Sequence, residues 1–405
     1  MTSTSNKSQL AIIFFTVFLY LVGFGVVIPI LPILSRNFGA TALQTGLLLS
    51  VYSLMQFLFS PFWGRLSDRL GRRPILLFCL LGEGLSYIVF ALSRSLEWLF
   101  VARILAGFFG ASLSTASAYI SDITPKQERS KGMALIGAAF GLGFVVGPAL
   151  GGGLAVWGQS ISSEPHFDTS FAAYWVAALC FANLLFGIKY LKESLSDKSE
   201  SAEKKKRFSV MWHYLNLKTV GALMTVFLLT SFAMSSMEAT LILYMGEKFQ
   251  WNIKQVSFGF AYIGVIIVFT QGFLVRRLLP KWGERKVLRL GLALFAMGLT
   301  TIAFANSIGM MAIAMTLLSL GNGLSNPSIL GSVSLLTDSK EQGVTMGVTQ
   351  SMASLGRIIG PAFGGFLYGA VAMTAPFWAS GALAFLGFAI VLYIYKFIPE
   401  HGRVK

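Results

Sequence analysis

Charge is what this chain of 405 residues lacks: 12% of it is Asp, Glu, Lys or Arg, against 55% hydrophobic. Soluble domains carry about 25% charged residues, so a water-facing surface cannot be built here and most of the surface must face lipid. Cysteine is nearly absent too. Cys79 and Cys180 both lie in apolar runs, which excludes a disulfide framework and a metal-type spacing. The three histidines, His166, His213 and His401, are too scattered for a metal cluster, and no cofactor is expected. There is no P-loop, no Rossmann fingerprint and no nucleophile elbow with its partners. An enzyme is thereby disfavoured, and so is ATP as the energy source. Acids are scarce beside bases, 17 against 32, giving a net charge of +15. Such a balance can mean nucleic acid; here it reads as charge placed to orient a membrane protein.

What is abundant is long apolar runs. A spanning helix needs about 20 apolar residues. Twelve fit, numbered here as spans 1 to 12: 10–34, 43–63, 74–93, 97–120, 131–156, 171–191, 219–245, 255–276, 287–306, 309–334, 343–370 and 376–397. Span 1 is too long for a signal-peptide core and no small-residue cleavage site closes it. Most connections are short. The exception, 192–218, is polar and basic and reads as a linker between a six-helix bundle at 1–191 and another at 219–405. With the N-terminus inside, inner segments hold 26 of the 32 Lys and Arg and outer loops hold four. That asymmetry predicts both termini in the cytoplasm and an even number of spans.

The halves repeat. Gly143-x3-Gly147-Pro148-Ala149-x-Gly151-Gly152 recurs as Gly356-x3-Gly360-Pro361-Ala362-x-Gly364-Gly365, an offset of 213. Gly71 and Gly283 stand 212 apart, ahead of spans 3 and 9. Parallel repeats of this kind imply two bundles about an axis along the membrane normal, with a substrate site between them near mid-membrane.

The loop after span 2 reads Gly64-Arg65-Leu66-Ser67-Asp68-Arg69-Leu70-Gly71-Arg72-Arg73. With this motif the chain resembles the major facilitator superfamily, and more narrowly its twelve-helix drug:proton antiporters. The resemblance covers almost the whole chain and implies an all-α membrane protein of two pseudo-symmetric six-helix bundles. It also implies a latch: Asp68 would cap the start of span 11, while Arg69, Arg72 and Arg73 would form a charge cluster with Asp122 at the end of span 4. The alternative is a loop whose basic residues only enforce topology. The second-half copy has Pro280 where Asp68 would fall, so a latch would be one-sided. In the resembled family the span 5 motif, Gly143, Gly147, Pro148, Gly151 and Gly152, is typical of antiporters. Read from the residues alone, it is a face on which helices touch closely.

Charges within the apolar runs are few. Arg103 in span 4 needs a partner or a water-filled cavity. The resemblance places it near proton handling, and Met315 at the equivalent position means the fold does not demand it. The carboxylates are Glu83 in span 3 and Glu238 in span 7. Burial penalises the charged form of a carboxyl, which suits a group that binds and releases protons. Glu238, beside Ser235, Ser236 and Thr240 on a helix expected to line the cavity, is the better candidate; Glu83 is the other and could simply pair with Arg103. Candidate cavity residues are Tyr20, Phe24, Tyr52, Gln56, Gln271, Asn322, Asn326 and Gln350, an aromatic wall with few polar groups that suits an amphiphilic compound.

The likeness is strongest to tetracycline efflux antiporters, carried by GFGVVIPILP, SPFWGRLSDRLGRRPILL, GAAFGLGFVVGP and PKWGERKVL. The acids those proteins carry in helices 1, 3 and 9, and the histidine of helix 8, are here Tyr20, Ser86, Phe295 and Ile267. The expected function is proton-coupled efflux of small lipophilic or cationic compounds, by a monomer in a bacterial inner membrane. Its partners would be the substrate, protons and the bilayer, with no nucleic acid. The alternative is uptake or export of an endogenous metabolite or sugar by the same fold.

Overall fold

The computed structural model describes residues 3–124, 129–162, 167–195, 214–337 and 342–398. All regular elements among them are helical. Ten stretches are long and apolar enough to cross a bilayer, and one of them, Ile253–Phe304, runs for 52 residues. A straight helix of that length would reach about 78 Å, more than twice the roughly 30 Å of a hydrocarbon core. It turns instead at Gly283, whose φ of 73° only glycine adopts without strain. Spans 8 and 9 lie on its two sides. Span 11 is the helix Gln342–Ala370, outside the ten stretches. Each of the twelve expected spans thus falls on helical chain.

Apolar side chains point outward as well as inward. Leu185, Phe258 and Ile313 are each 60% exposed or more. In water such a surface would be costly; against acyl chains it costs nothing.

Two departures from the expected runs matter. Span 4 is two helices, Leu96–Gly110 and Leu113–Ile123, with a turn at Ala111 and Ser112. Span 8 contains a π-helical turn over Thr270–Leu274, which holds Gln271. Neither interrupts the apolar run, so neither is visible in hydropathy.

By packing, the chain divides into two compact units. One is Met1–Ala40, Val51–Ala202 and Trp251–Ala261; the other is Thr41–Ser50, Glu203–Gln250 and Tyr262–Lys405. The first has a core of Ile13, Val17, Leu21, Leu76, Tyr119 and Ile120, and a second cluster around Trp63. In the second, Leu223, Met224, Leu288, Leu292, Ile329 and Val333 are fully enclosed.

Within a bilayer, helices associate by close packing rather than by exclusion of water. The repeated glycine motif supplies that packing twice. In the first unit, a Cβ on Gly147 would lie 2.5 Å from Gly25 Cα, and one on Gly143 2.8 Å from Leu21 Cβ, so span 5 touches span 1 backbone to backbone. Gly151 meets Val26 in the same way, and Gly152 faces Ser257. In the second unit, Gly356 and Gly360 sit on Phe232, and Gly364 on Ser236, all of span 7. The helix pairs correspond across the repeat: 5 on 1, and 11 on 7.

Candidate functional site

Four of the eight expected cavity residues come together in the first unit. The Tyr20 and Tyr52 hydroxyls are 2.6 Å apart. Gln56 Nε2 donates to both, at 2.7 and 3.0 Å. Phe24 stacks on the Tyr52 ring with centroids 5.1 Å apart. The local fold of span 4 explains why they meet. Where its helix stops at Gly110, that carbonyl loses its partner in the following turn. Tyr20 Oη and Gln56 Nε2 donate to it instead, each at 3.2 Å. Two glycines make the room: a Cβ on Gly110 would lie 2.8 Å from the Tyr20 hydroxyl, and one on Gly107 2.5 Å from the Tyr52 carbonyl.

Charge lies beside this polar cluster. The Arg103 guanidinium stands over the Tyr52 ring, 4.3 Å from its centroid. Such cation–π contact stabilises a cation that water no longer reaches. Arg103 and Glu83 are each 1% exposed. Both are within electrostatic reach of one another and of Tyr20, Tyr52 and Tyr87. Glu83 Oε1 and the Tyr87 hydroxyl are buried without a hydrogen-bond partner among the described residues. A carboxyl oxygen left so is a group with chemistry still available to it. Tyr87, Gly107 and Gly110 are the members the sequence did not single out. Tyr87 is four residues beyond Glu83, on the same face of span 3, which is the signal that could have found it.

The remaining expected cavity residues do not assemble in this way. Gln271, Asn322, Asn326 and Gln350 are spread over spans 8, 10 and 11, with no hydrogen bond joining them among the described residues. Glu238 is half-buried in span 7, within electrostatic reach of Arg357 in span 11.

The loop after span 2 forms a compact charge network at one end of the first unit. Arg72 is buried, and its Nη1 reaches Asp68 at 2.6 Å and Ser67 Oγ at 2.7 Å. Its Nε reaches Asp122 Oδ2 at 3.0 Å. Gly64 lies against Ser114, and Gly71 has φ 111°, which turns the chain into span 3. Arg69 is exposed. Asp68 belongs to the first unit, and the start of span 11 that it is expected to cap, in the helix Gln342–Ala370, belongs to the second.

One acid of this network went unnoticed in the sequence. Glu193, just after span 6, accepts from the backbone N–H of Arg72 at 2.9 Å and of Arg73 at 3.1 Å. It thereby caps the helix start that Gly71 opens, where a carboxylate also meets the positive end of the helix dipole. Ser194 Oγ donates to Asp122 at 3.1 Å, and Tyr119 Oη donates to the Lys192 carbonyl at 2.8 Å. The first residues of the expected linker are therefore pinned beneath the loop. Its residues 196–213 lie outside the described residues.

Comparison with known proteins places the fold in a family. The family described as the Major Facilitator Superfamily matches residues 13–284 and 272–405. Tetracycline resistance protein class C of Escherichia coli is 34% identical over 391 residues, covering 94% of this chain and 95% of that protein. Quinolone resistance protein NorA of Staphylococcus aureus is 26% identical, covering 99% and 98%. Among solved structures, the human organic anion transporter MFSD10 superposes with a TM-score of 0.72 at 26% identity, covering 95% of this chain and 99% of that one. With matches across both halves of the repeat and a twelve-span helical architecture, the chain belongs to the Major Facilitator Superfamily.

Proposed function

We propose that this protein exports small lipophilic or cationic compounds across a bacterial inner membrane, by alternating access driven by inward movement of protons. The observation that carries the reading is the buried cluster of Tyr20, Tyr52 and Gln56 beside Arg103 and Glu83. Aromatic faces with a few fixed polar groups suit flat amphiphilic molecules. A buried carboxyl with one oxygen outside any hydrogen bond among the described residues, beside an arginine, suits proton binding and release. Relatives named for resistance to tetracycline and to quinolones support efflux as the direction.

In this reading Glu83 is the first coupling candidate and Glu238 the second, because Glu83 is wholly enclosed while Glu238 is half-buried. Arg103 supplies the positive charge beside the enclosed carboxyl. Asp68, Arg72 and Asp122 act as the latch. The two halves of the repeat serve as bundles joined by the basic linker, the single chain is the working unit, and both termini lie in the cytoplasm, in keeping with the distribution of Lys and Arg.

The test is drug-susceptibility profiling of cells that express the protein, with and without a protonophore. Raised resistance to several amphiphilic compounds, abolished by the protonophore, supports the proposal. Unchanged susceptibility, together with accumulation of a sugar or other metabolite, would replace efflux with the alternative transport reading.

A further inference from the structure

Span 9 begins after Gly283 with Glu284, Arg285 and Lys286, and Arg289 follows one turn later. Helix starts carry the positive end of the dipole, where cations are disfavoured and anions welcome. Three cations are nevertheless gathered there. The acid of the group, Glu284, turns inward and is 6% exposed, with its Cγ facing Gly331 of span 10. Lys286 and Arg289 stay exposed. The guanidinium groups of Arg285 and Arg289 both lie over the Tyr395 ring, 4.4 and 5.2 Å from its centroid, which fixes their place at the end of span 12.

An open cavity of about 510 Å³ lies at this point, lined by Trp282, Lys286, Arg289, Leu290, Ala293 and Phe388. None of the six is acidic. Its two ends differ: the two cations stand near the helix start, and Leu290, Ala293 and Phe388 form an apolar wall deeper along spans 9 and 12. The exposed stripe of span 9 then continues through Met297 and Phe304, 48% and 53% exposed, so the groove opens on the side that faces acyl chains. Trp282, 46% exposed at the charged end, is the residue type that settles at the headgroup level.

We propose that this groove binds an anionic phospholipid of the surrounding bilayer, its phosphate held by Lys286 and Arg289 and one acyl chain lying along Leu290, Ala293 and Phe388. The graded polarity favours a lipid over a free anion. Phosphate alone would use only the charged end, and the apolar wall running from it toward mid-membrane would have no role. A zwitterionic lipid would fill the wall but leave the two cations and the helix dipole without a net counter-charge.

The full-length protein, purified in detergent, is titrated with phosphatidylglycerol or phosphatidylethanolamine and bound lipid is counted by native mass spectrometry. The wild type should prefer phosphatidylglycerol by about tenfold or more, near what two cations at a membrane surface provide. The double variant Lys286→Gln/Arg289→Gln should lose that preference. Arg276→Gln/Arg277→Gln, which removes two exposed cations outside the groove, should keep it. Equal binding by the Lys286/Arg289 variant overturns the proposal. So does displacement of the lipid by millimolar inorganic phosphate, which would make the site a free-anion site. In case the double variant fails to fold, a photoactivatable phosphatidylglycerol is cross-linked to the wild type: labelling of peptides around Ala293 and Phe388 supports the site, and labelling confined elsewhere overturns it.

Discussion

The two halves of the repeat solve the same packing problem and part company over charge. At an offset of 212, Glu83 and Arg103 of the first half correspond to Phe295 and Met315 of the second, and all four side chains are 2% exposed or less. The fold therefore accepts an apolar pair in these enclosed places. Removing a carboxylate or a guanidinium from water costs several kcal/mol, and a hydrophobic pair of similar size is often as stable or more so. The charges at Glu83 and Arg103 are therefore not a requirement of the architecture. The loops ahead of spans 3 and 9 teach the same lesson. Gly71 and Gly283 share a left-handed φ, 111° and 73°. The acids that pair with Arg72 in the first half, Asp68 and Asp122, correspond to Pro280 at an offset of 212 and to Leu335 at the offset of 213 that holds from Thr124 and Thr337 onward. The backbone requirement is repeated; the charge network is not.

The comparison can be broken most severely at the feature the halves share. Gly147→Leu would drive a side chain into Gly25, 2.5 Å from the added Cβ, and should abolish both transport and stable folding. Gly360→Leu should do the same against span 7. Gly153→Ala, with nothing within 4 Å, should leave transport and melting temperature unchanged. Fluorescence-detected size-exclusion and vesicle transport would measure both, and a well-folded, active Gly147→Leu protein would show that spans 5 and 1 do not touch as described.

Next in size are the features only one half has. Asp68→Asn removes the ion pair with Arg72, and transport per molecule should fall by at least about tenfold with membrane insertion intact. Pro280→Asp, which gives the second half an acid at the matching place, should leave transport within about twofold, as expected of a surface change away from any network. Normal transport by Asp68→Asn would reduce the first loop to a topology signal.

The smallest effect is expected at Glu193. Glu193→Gln keeps a hydrogen-bond acceptor at the start of span 3 but removes the charge that faces the helix dipole, so stability should drop by roughly 0.5–1 kcal/mol. Thermal unfolding in detergent reads this directly. A loss of several kcal/mol would mean the linker root holds the first half together rather than trimming one helix end.

Much of this was legible in sequence. Apolar run length gave the spans and the glycine repeat gave the correspondence of the halves, because each is a property of composition and spacing. What escaped was anything set by backbone detail or by distant contact. The break of span 4 at Ala111 lies inside an unbroken apolar run, yet it frees the Gly110 carbonyl around which Tyr20 and Gln56 gather. Glu193 looks like one more polar residue in a linker, and only the fold carries it to the start of span 3. How deeply Glu83 and Glu238 are enclosed, the one 1% exposed and the other half-buried, is likewise set by contacts distant in sequence.

The claim that chemistry resides in the first half while the second keeps only the architecture meets its most direct test in proton-driven uptake of an amphiphilic drug by inverted membrane vesicles. Four variants are compared at equal protein: Glu83→Gln, Arg103→Met, Glu238→Gln and Met315→Leu. Glu83→Gln and Arg103→Met should abolish gradient-driven accumulation while retaining drug binding, Glu238→Gln should reduce it partly, and Met315→Leu should be silent. Full accumulation by Glu83→Gln, with loss in Glu238→Gln, would place the coupling group in the second half instead.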